Sequence, residues 1–266
     1  MPLNAKVIYA NLEKVRREAP LVHNITNYVA MNLTANALLA VGASPVMAHA
    51  REEVEDMVGI ASALVINIGT LSGHWVEAMF KAAVRAEKKG IPIIYDPVGA
   101  GATPYRTRTI RELIQAVAPA ILRGNASEIM AIADDNAKTK GVDSAATAET
   151  ALASARRLSE AHHCVVCVSG KTDYIIDKKS IAMIKNGHAL MPRVTGLGCT
   201  ASALCGAFAA VNSDHFAATA SAMAVMGIAG EIAAGKAKGP ASLQVEFLDA
   251  LFNLTDAEIE RRLKIS

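Results

Sequence analysis

Short apolar runs rich in β-branched residues recur along this 266-residue chain, separated by longer segments with helical spacing. The runs occupy 63–68 (ALVINI), 91–95 (IPIIY), 120–122, 164–168 (CVVCV), 174–176 and 181–184. Helices are predicted over 73–89, with Ser72 as N-cap and Gly90 just past the end, and over 145–161, 198–211 and 216–234. Parallel neighbours need a crossover and a helix is the usual one, so this alternation dictates an α/β fold: a mainly parallel sheet flanked by helices on both faces. The polar DKK between the last two runs reads as a hairpin at the sheet margin. No repeat, low-complexity tract or long linker interrupts the chain, so residues 1–266 read as a single domain.

Composition removes several function classes. Lys and Arg number 27 against 25 Asp and Glu, and aromatics are 4%. A nucleic-acid binder would show a basic face or stacking rings, so none is expected. The mean hydropathy is +0.27, but the weakly polar stretch 217–234 carries Thr219, Ser221, two glycines and Glu231. It therefore reads as a core helix, and no membrane partner is expected. The N-terminus lacks a basic start followed by an apolar core, and the four cysteines read as reduced thiols, so a cytoplasmic location is expected. Cys164 and Cys167 form a C-x-x-C, yet residues three apart on a strand face opposite ways, so both read as core side chains.

In open α/β sheets ligands sit beyond the carboxyl ends of the strands. Gly69-Thr70-Leu71-Ser72 follows the first run, Asp96-Pro97-Val98-Gly99 the second, Arg123-Gly124-Asn125 the third and Ser169-Gly170-Lys171 the fourth. Any one of these is an ordinary turn by composition; four in succession suggest a site. Pro97 keeps Asp96 out of the helical region. Asp96 and Glu128 could hold Mg²⁺ directly or through water, with Arg123 on phosphate oxygens. A local ion pair is the plainer alternative.

Two segments are denser still. In Val194-Thr195-Gly196-Leu197-Gly198-Cys199-Thr200 a glycine-rich turn enters an alanine-rich helix, whose free N–H groups and positive dipole end suit a phosphate. It is neither a Walker A loop nor G-x-G-x-x-G. At such a helix start the Cys199 thiol is expected to have a lowered pKa. The segment from His23 through Asn24, Thr26 and Asn27 to Asn32, Asn36 and Met47 offers neutral hydrogen-bonding groups beside a methionine, which suits a small, largely uncharged ring.

HNITNYVAMNLTANALLAVGASPVMA, YDPVGAGATPYR, RGNASEI and VTGLGCTASALCGAF resemble the signature segments of the hydroxyethylthiazole kinases, in that family's order, over about 11–239. Cys199 stands where most of the wider ribokinase-like superfamily has aspartate; cysteine there marks the thiazole kinases. The resemblance implies a three-layer ribokinase-like fold and ATP-dependent phosphorylation of 4-methyl-5-(2-hydroxyethyl)thiazole, a thiamine salvage step. It implies a homotrimer with sites at subunit interfaces. It places Met47, Gly196, Asn27 and Gly69 at the thiazole alcohol, Arg123, Ser169 and Gly198 at ATP, Asp96 and Glu128 at Mg²⁺, and Cys199 at the reacting hydroxyl. A kinase for another small alcohol, such as a pyrimidine or vitamin B6 compound, is the nearest alternative, and the 24–47 segment argues against it.

Overall fold

The computed structural model describes residues 3–133 and 144–266. In chain order the elements are α1 (Ala5–Glu18), β1 (Leu21–Ile25), α2 (Met31–Val41), β2 (Ser44–Val46), α3 (Val54–Ile60), β3 (Ala63–Asn67), α4 (Gly73–Lys89), β4 (Ile93–Asp96), α5 (Pro104–Ala116), β5 (Ile121–Asn125) and α6 (Ala126–Ala133). They continue with α7 (Ser144–His162), β6 (Val165–Ser169), β7 (Asp173–Ile176), β8 (Ile181–Ile184), a 3₁₀ turn at Met191–Arg193, α8 (Leu197–Val211), α9 (His215–Ala234), α10 (Pro240–Asn253) and α11 (Asp256–Arg262).

The described strands form one sheet in the order β2-β1-β3-β4-β5-β6-β7-β8. β2 through β6 run parallel, and β7 and β8 add an antiparallel hairpin at the margin, where the sequence placed it. The edge at β8 is covered by the C-terminal tail, through Met183 N–H to Ser266 O and Lys185 N–H to Lys264 O.

Two apolar cores lie on opposite faces of the sheet. One joins Val65, Ile94 and Cys167 to α1, α2 and α8–α11; the other joins Leu64, Ile66, Tyr95 and Val166 to α3–α7. Successive strand residues thus feed different cores, which is why these strands are apolar throughout rather than alternating. Cys164 and Cys167 fall in different cores, and all four cysteines are free. Helix α9 is long and apolar enough to cross a membrane by length and composition, but 83% of its apolar window is buried inside the protein. It is a core helix, packed by alanine and glycine.

The sequence runs locate β3, β4, β6, β7 and β8 within two residues, while the run at 120–122 stops three short of the end of β5, where Arg123, Gly124 and Asn125 break the apolar pattern. They do not include β1 and β2, for different reasons. β1 carries His23 and Asn24, both buried and polar, so it lacks an apolar signature. β2 is a three-residue edge strand holding Pro45, which an edge tolerates because no ladder donor is needed on its free side. Gly90 closes α4 at φ 76°, as expected, while Ser72 occupies the N-cap without its side chain capping the helix. The polar segment after His23 becomes helical only at Met31, because Asn27 lies in the preceding turn, where its Oδ1 accepts from Ala30 N–H.

Candidate active site

The site forms where the carboxyl ends of β1, β3, β4, β5 and β6 meet the first turn of α8. That turn is set by Gly196, at φ +89°, where a Cβ would lie 3.3 Å from Ala30 Cα. Only glycine suits this left-handed position against the loop that follows Asn27. The free N–H groups of α8 therefore open towards the strand ends.

A continuous hydrogen-bonded chain runs beneath this turn. Asn27 Nδ2 donates to Asn67 Oδ1 at 3.0 Å and to Cys199 Sγ at 3.2 Å. Asn67 Nδ2 donates to Asp96 Oδ2 at 2.7 Å, and Ser202 Oγ donates to the same oxygen at 2.8 Å. Gly69 N–H donates to Asn67 Oδ1 at 2.9 Å, while Gly69 O accepts from Arg106 Nη2 at 2.9 Å. Arg106 Nη1 also donates to Val98 O at 2.7 Å, so one guanidinium ties the turn after β3 to the turn after β4.

On the other side of Asp96, Arg123 Nη2 donates to Ser169 Oγ at 2.8 Å, and Ser169 Oγ donates to Gly124 O at 3.2 Å. A Cβ built on Gly198 would lie 3.3 Å from Arg123 Nη1, so the guanidinium lies against the start of α8. Glu128 accepts from Gly99 N–H at 2.9 Å and from Asn125 N–H at 2.8 Å, one on each carboxylate oxygen. It fastens the Asp96–Gly99 turn to the start of α6.

Two buried polar atoms here have no partner within the described residues: Asp96 Oδ1 and Arg123 Nε. Buried polar atoms are nearly always bonded, so orphans at one site point to a ligand or an ion. Burial, then the carboxylate of Glu128, push the Asp96 carboxyl up to about 6, although Arg123 opposes the rise. Burial also works against the Arg123 charge, but Asp96 and Asp173 outweigh it and hold that charge on. Among the described residues no three His, Cys, Asp or Glu side chains form a metal cage. Mg²⁺ does not require one, since it keeps waters and leans on one or two carboxylates and substrate phosphates. The unpartnered oxygen of Asp96, with the charge of Glu128 near enough to act on it, fits that ion.

The expectation for Cys199 is corrected. Its thiol is raised to about 11, chiefly by burial and then by the charge of Asp96, which outweigh the bonds from Asn27 and Asn67 and the cation of Arg123. It carries its proton at neutral pH. The structure thus gathers Asn27, Gly69, Asp96, Arg123, Glu128, Ser169, Gly196, Gly198 and Cys199. Met47 is not drawn into this chain: it follows β2, one strand out from β1, and is half-buried. Its loop is still tied to the others by ring contacts of Trp75 with Tyr28 (5.2 Å between centroids) and His49 (4.4 Å). Sequence reasoning missed Asn67, Ser202, Arg106 and Asp173. The available signal for Asn67 was a lone amide ending an apolar strand.

The hydroxyethylthiazole kinase family model matches residues 12–257. The chain belongs to the hydroxyethylthiazole kinase family. It is 60% identical to hydroxyethylthiazole kinase of Syntrophus aciditrophicus over 266 residues, covering all of this chain and 98% of the relative. A solved hydroxyethylthiazole kinase from Pyrococcus horikoshii OT3 superposes with a TM-score of 0.91 at 44% identity, covering 98% of each chain. A ribokinase-like superfamily protein from Enterococcus faecalis has a TM-score of 0.70 at 12% identity, covering 97% of this chain and 96% of its own; at that identity it attests the ribokinase-like fold alone.

The thiol chemistry is testable. Alkylation of native protein should label Cys199 slowly at pH 7.5, with a rate still climbing about tenfold per pH unit beyond pH 9, where an ordinary thiol levels off. Fast labelling at pH 7.5, or a plateau by pH 9, would contradict the buried, protonated thiol.

Proposed function

We propose that this family member transfers the γ-phosphoryl group of ATP to the hydroxyl of 4-methyl-5-(2-hydroxyethyl)thiazole, giving 4-methyl-5-(2-phosphooxyethyl)thiazole for thiamine biosynthesis or salvage. The observation that carries this reading is the convergence of Asn27, Cys199, Asp96 and Arg123 on the first two turns of α8. Phosphoryl transfer passes through a loose transition state, so positioning and charge neutralisation matter more than a strong base.

Arg123, with Ser169 and Gly198, takes the nucleotide phosphates. The N–H groups from Gly196 to Cys199 hold the transferring group at the positive end of α8. Asp96 and Glu128 hold Mg²⁺, which when bound neutralises phosphate charge. Asn27, Gly69, Gly196 and Met47 line the alcohol. Cys199 serves the alcohol's proton: its small thiolate fraction, held by Asn27 Nδ2, accepts that proton late in the transfer.

The active form is a trimer with sites shared between subunits. Tyr28 and Val29, directly after Asn27, are 65% and 71% exposed, and Met47 lies at the sheet edge, where a neighbouring chain could complete the alcohol pocket. Residues 1–266 act as one kinase domain, a reading supported by the single sheet. ATP use and four free cysteines suit the cytoplasm.

A coupled assay of ADP release across the thiazole alcohol, hydroxymethylpyrimidine and pyridoxal tests the substrate. Turnover should favour the thiazole alcohol, and Arg123→Ala should raise the KM for ATP about tenfold to a hundredfold with little change for the alcohol. Preference for either other alcohol, or an unchanged KM for ATP, would overturn these assignments.

Cys199 variants test the proton's route. Cys199→Ser should turn over about tenfold to a hundredfold more slowly, the low end of general-base assistance. Cys199→Asp should keep its turnover, since a carboxylate accepts a proton and the helix start favours an anion. A serine variant equal to wild type, or a folded, trimeric aspartate variant without activity, would remove Cys199 from that role.

A further inference from the structure

We propose that Asn67 is a positioning residue for the transfer: its amide determines which oxygen of Asp96 stays free and couples that choice to the Asn27–Cys199 pair. The inference rests on the kinase reading above. Asn67 is the last residue of β3, an otherwise apolar strand, and is 1% exposed. It lies in register with Asp96 on the neighbouring parallel strand β4, so the two side chains leave the sheet on the same face.

A buried amide is costly unless bonded, and here the bonds dictate its orientation. Two donors, Gly69 N–H and Asn27 Nδ2, converge on Oδ1. The other end must then be Nδ2, and it donates to Asp96 Oδ2. Ser202 loads that same oxygen from α8. Both protein donors therefore occupy Oδ2, and Oδ1 is left without a partner. A Cβ on Gly69 would meet Asn27 Nδ2 at 2.7 Å and Asn67 Oδ1 at 2.9 Å, so the two amides and the turn hold one another with no slack. One side chain thus links the alcohol end of the site to the carboxylate end. A residue that only anchored the Gly69 turn would need an acceptor and no donor towards Asp96.

Asn67→Asp separates these roles. It keeps an acceptor for Gly69 N–H and Asn27, and it replaces the donor facing Asp96 with an oxygen. The expected result is a kcat at least about a hundredfold lower, with the KM for the thiazole alcohol, and its Kd by calorimetry without nucleotide, within threefold of wild type. Ser202→Ala removes the other donor from the same oxygen and should lower kcat about tenfold with the same unchanged Kd. An Asn67→Asp kcat within threefold of wild type would overturn the proposal, and so would an alcohol Kd weakened in proportion to kcat. If Asn67→Asp does not fold, a Ser202→Ala kcat within threefold of wild type overturns it instead. A wild-type protein without alcohol-dependent ADP release would overturn the kinase reading; an active wild type beside an unaffected Asn67→Asp would overturn the role of Asn67 alone.

Discussion

Asp96 carries a negative charge into a place where water cannot reach it, and the architecture of the site follows from how that charge is held. Its backbone ends a central strand, its side chain is fully buried, and two neutral donors, Asn67 and Ser202, meet one of its oxygens. Arg123 supplies an opposite charge from the next strand, and the charge of Asp173 also acts on Arg123. Asp173 is itself raised to about 6 by burial, against the pull of Gly170 N–H and Arg123. Charges buried at this depth are expensive even when paired, so such a cluster is poor stabilising design. In the proposed transfer it would serve a transient polyanion: an oxygen of Asp96, a guanidinium and a helix start are in place before the substrate arrives, which limits reorganisation at the moment of transfer.

The rest of the fold serves that arrangement. The parallel sheet brings the ends of β1, β3, β4, β5 and β6 to one edge, and α8 lies over them on the opposite side from α3–α7. Small residues in α8 let its backbone come close to the strands, which places Ser202 within reach of Asp96 and Gly198 against Arg123. Arg106 and Glu128 then fasten the strand-end turns to one another, so the loops that carry function are held by side-chain bonds rather than left free.

Much of this was legible in the chain, and the failures have physical causes. The runs from 63 to 184 announce their strands because both faces of the sheet are buried and the positions short of the strand ends are apolar. β1 gives no such signal, since His23 and Asn24 are buried with their own hydrogen bonds, to Ala48 O and Val22 O. Asp96, Arg123 and Cys199 could be found as strand-end or helix-start residues, because local sequence carries that information. Asn67 shows in the chain only as a lone amide at a strand end, and Ser202 not at all, since their meaning depends on partners 29 and 106 residues away. The raised pKa of Cys199 is hidden from local sequence for the same reason: the helix start is local, whereas the burial and the Asp96 charge that raise it come from tertiary packing.

The fold holds an ionised Asp96 at a cost in stability, and that cost can be measured directly. A carboxyl whose folded pKa rises from 3.8 to about 6 favours the fold while protonated, and that contribution is lost as pH rises through about 6. Urea unfolding of wild type and Asp96→Asn, in chelator between pH 4.5 and 8, reads this difference. Near parity is expected at pH 4.5, with an inactive variant that is more stable than wild type at pH 8 by about 2 kcal/mol. A variant less stable than wild type at pH 8, or a gap that does not change with pH, would contradict it.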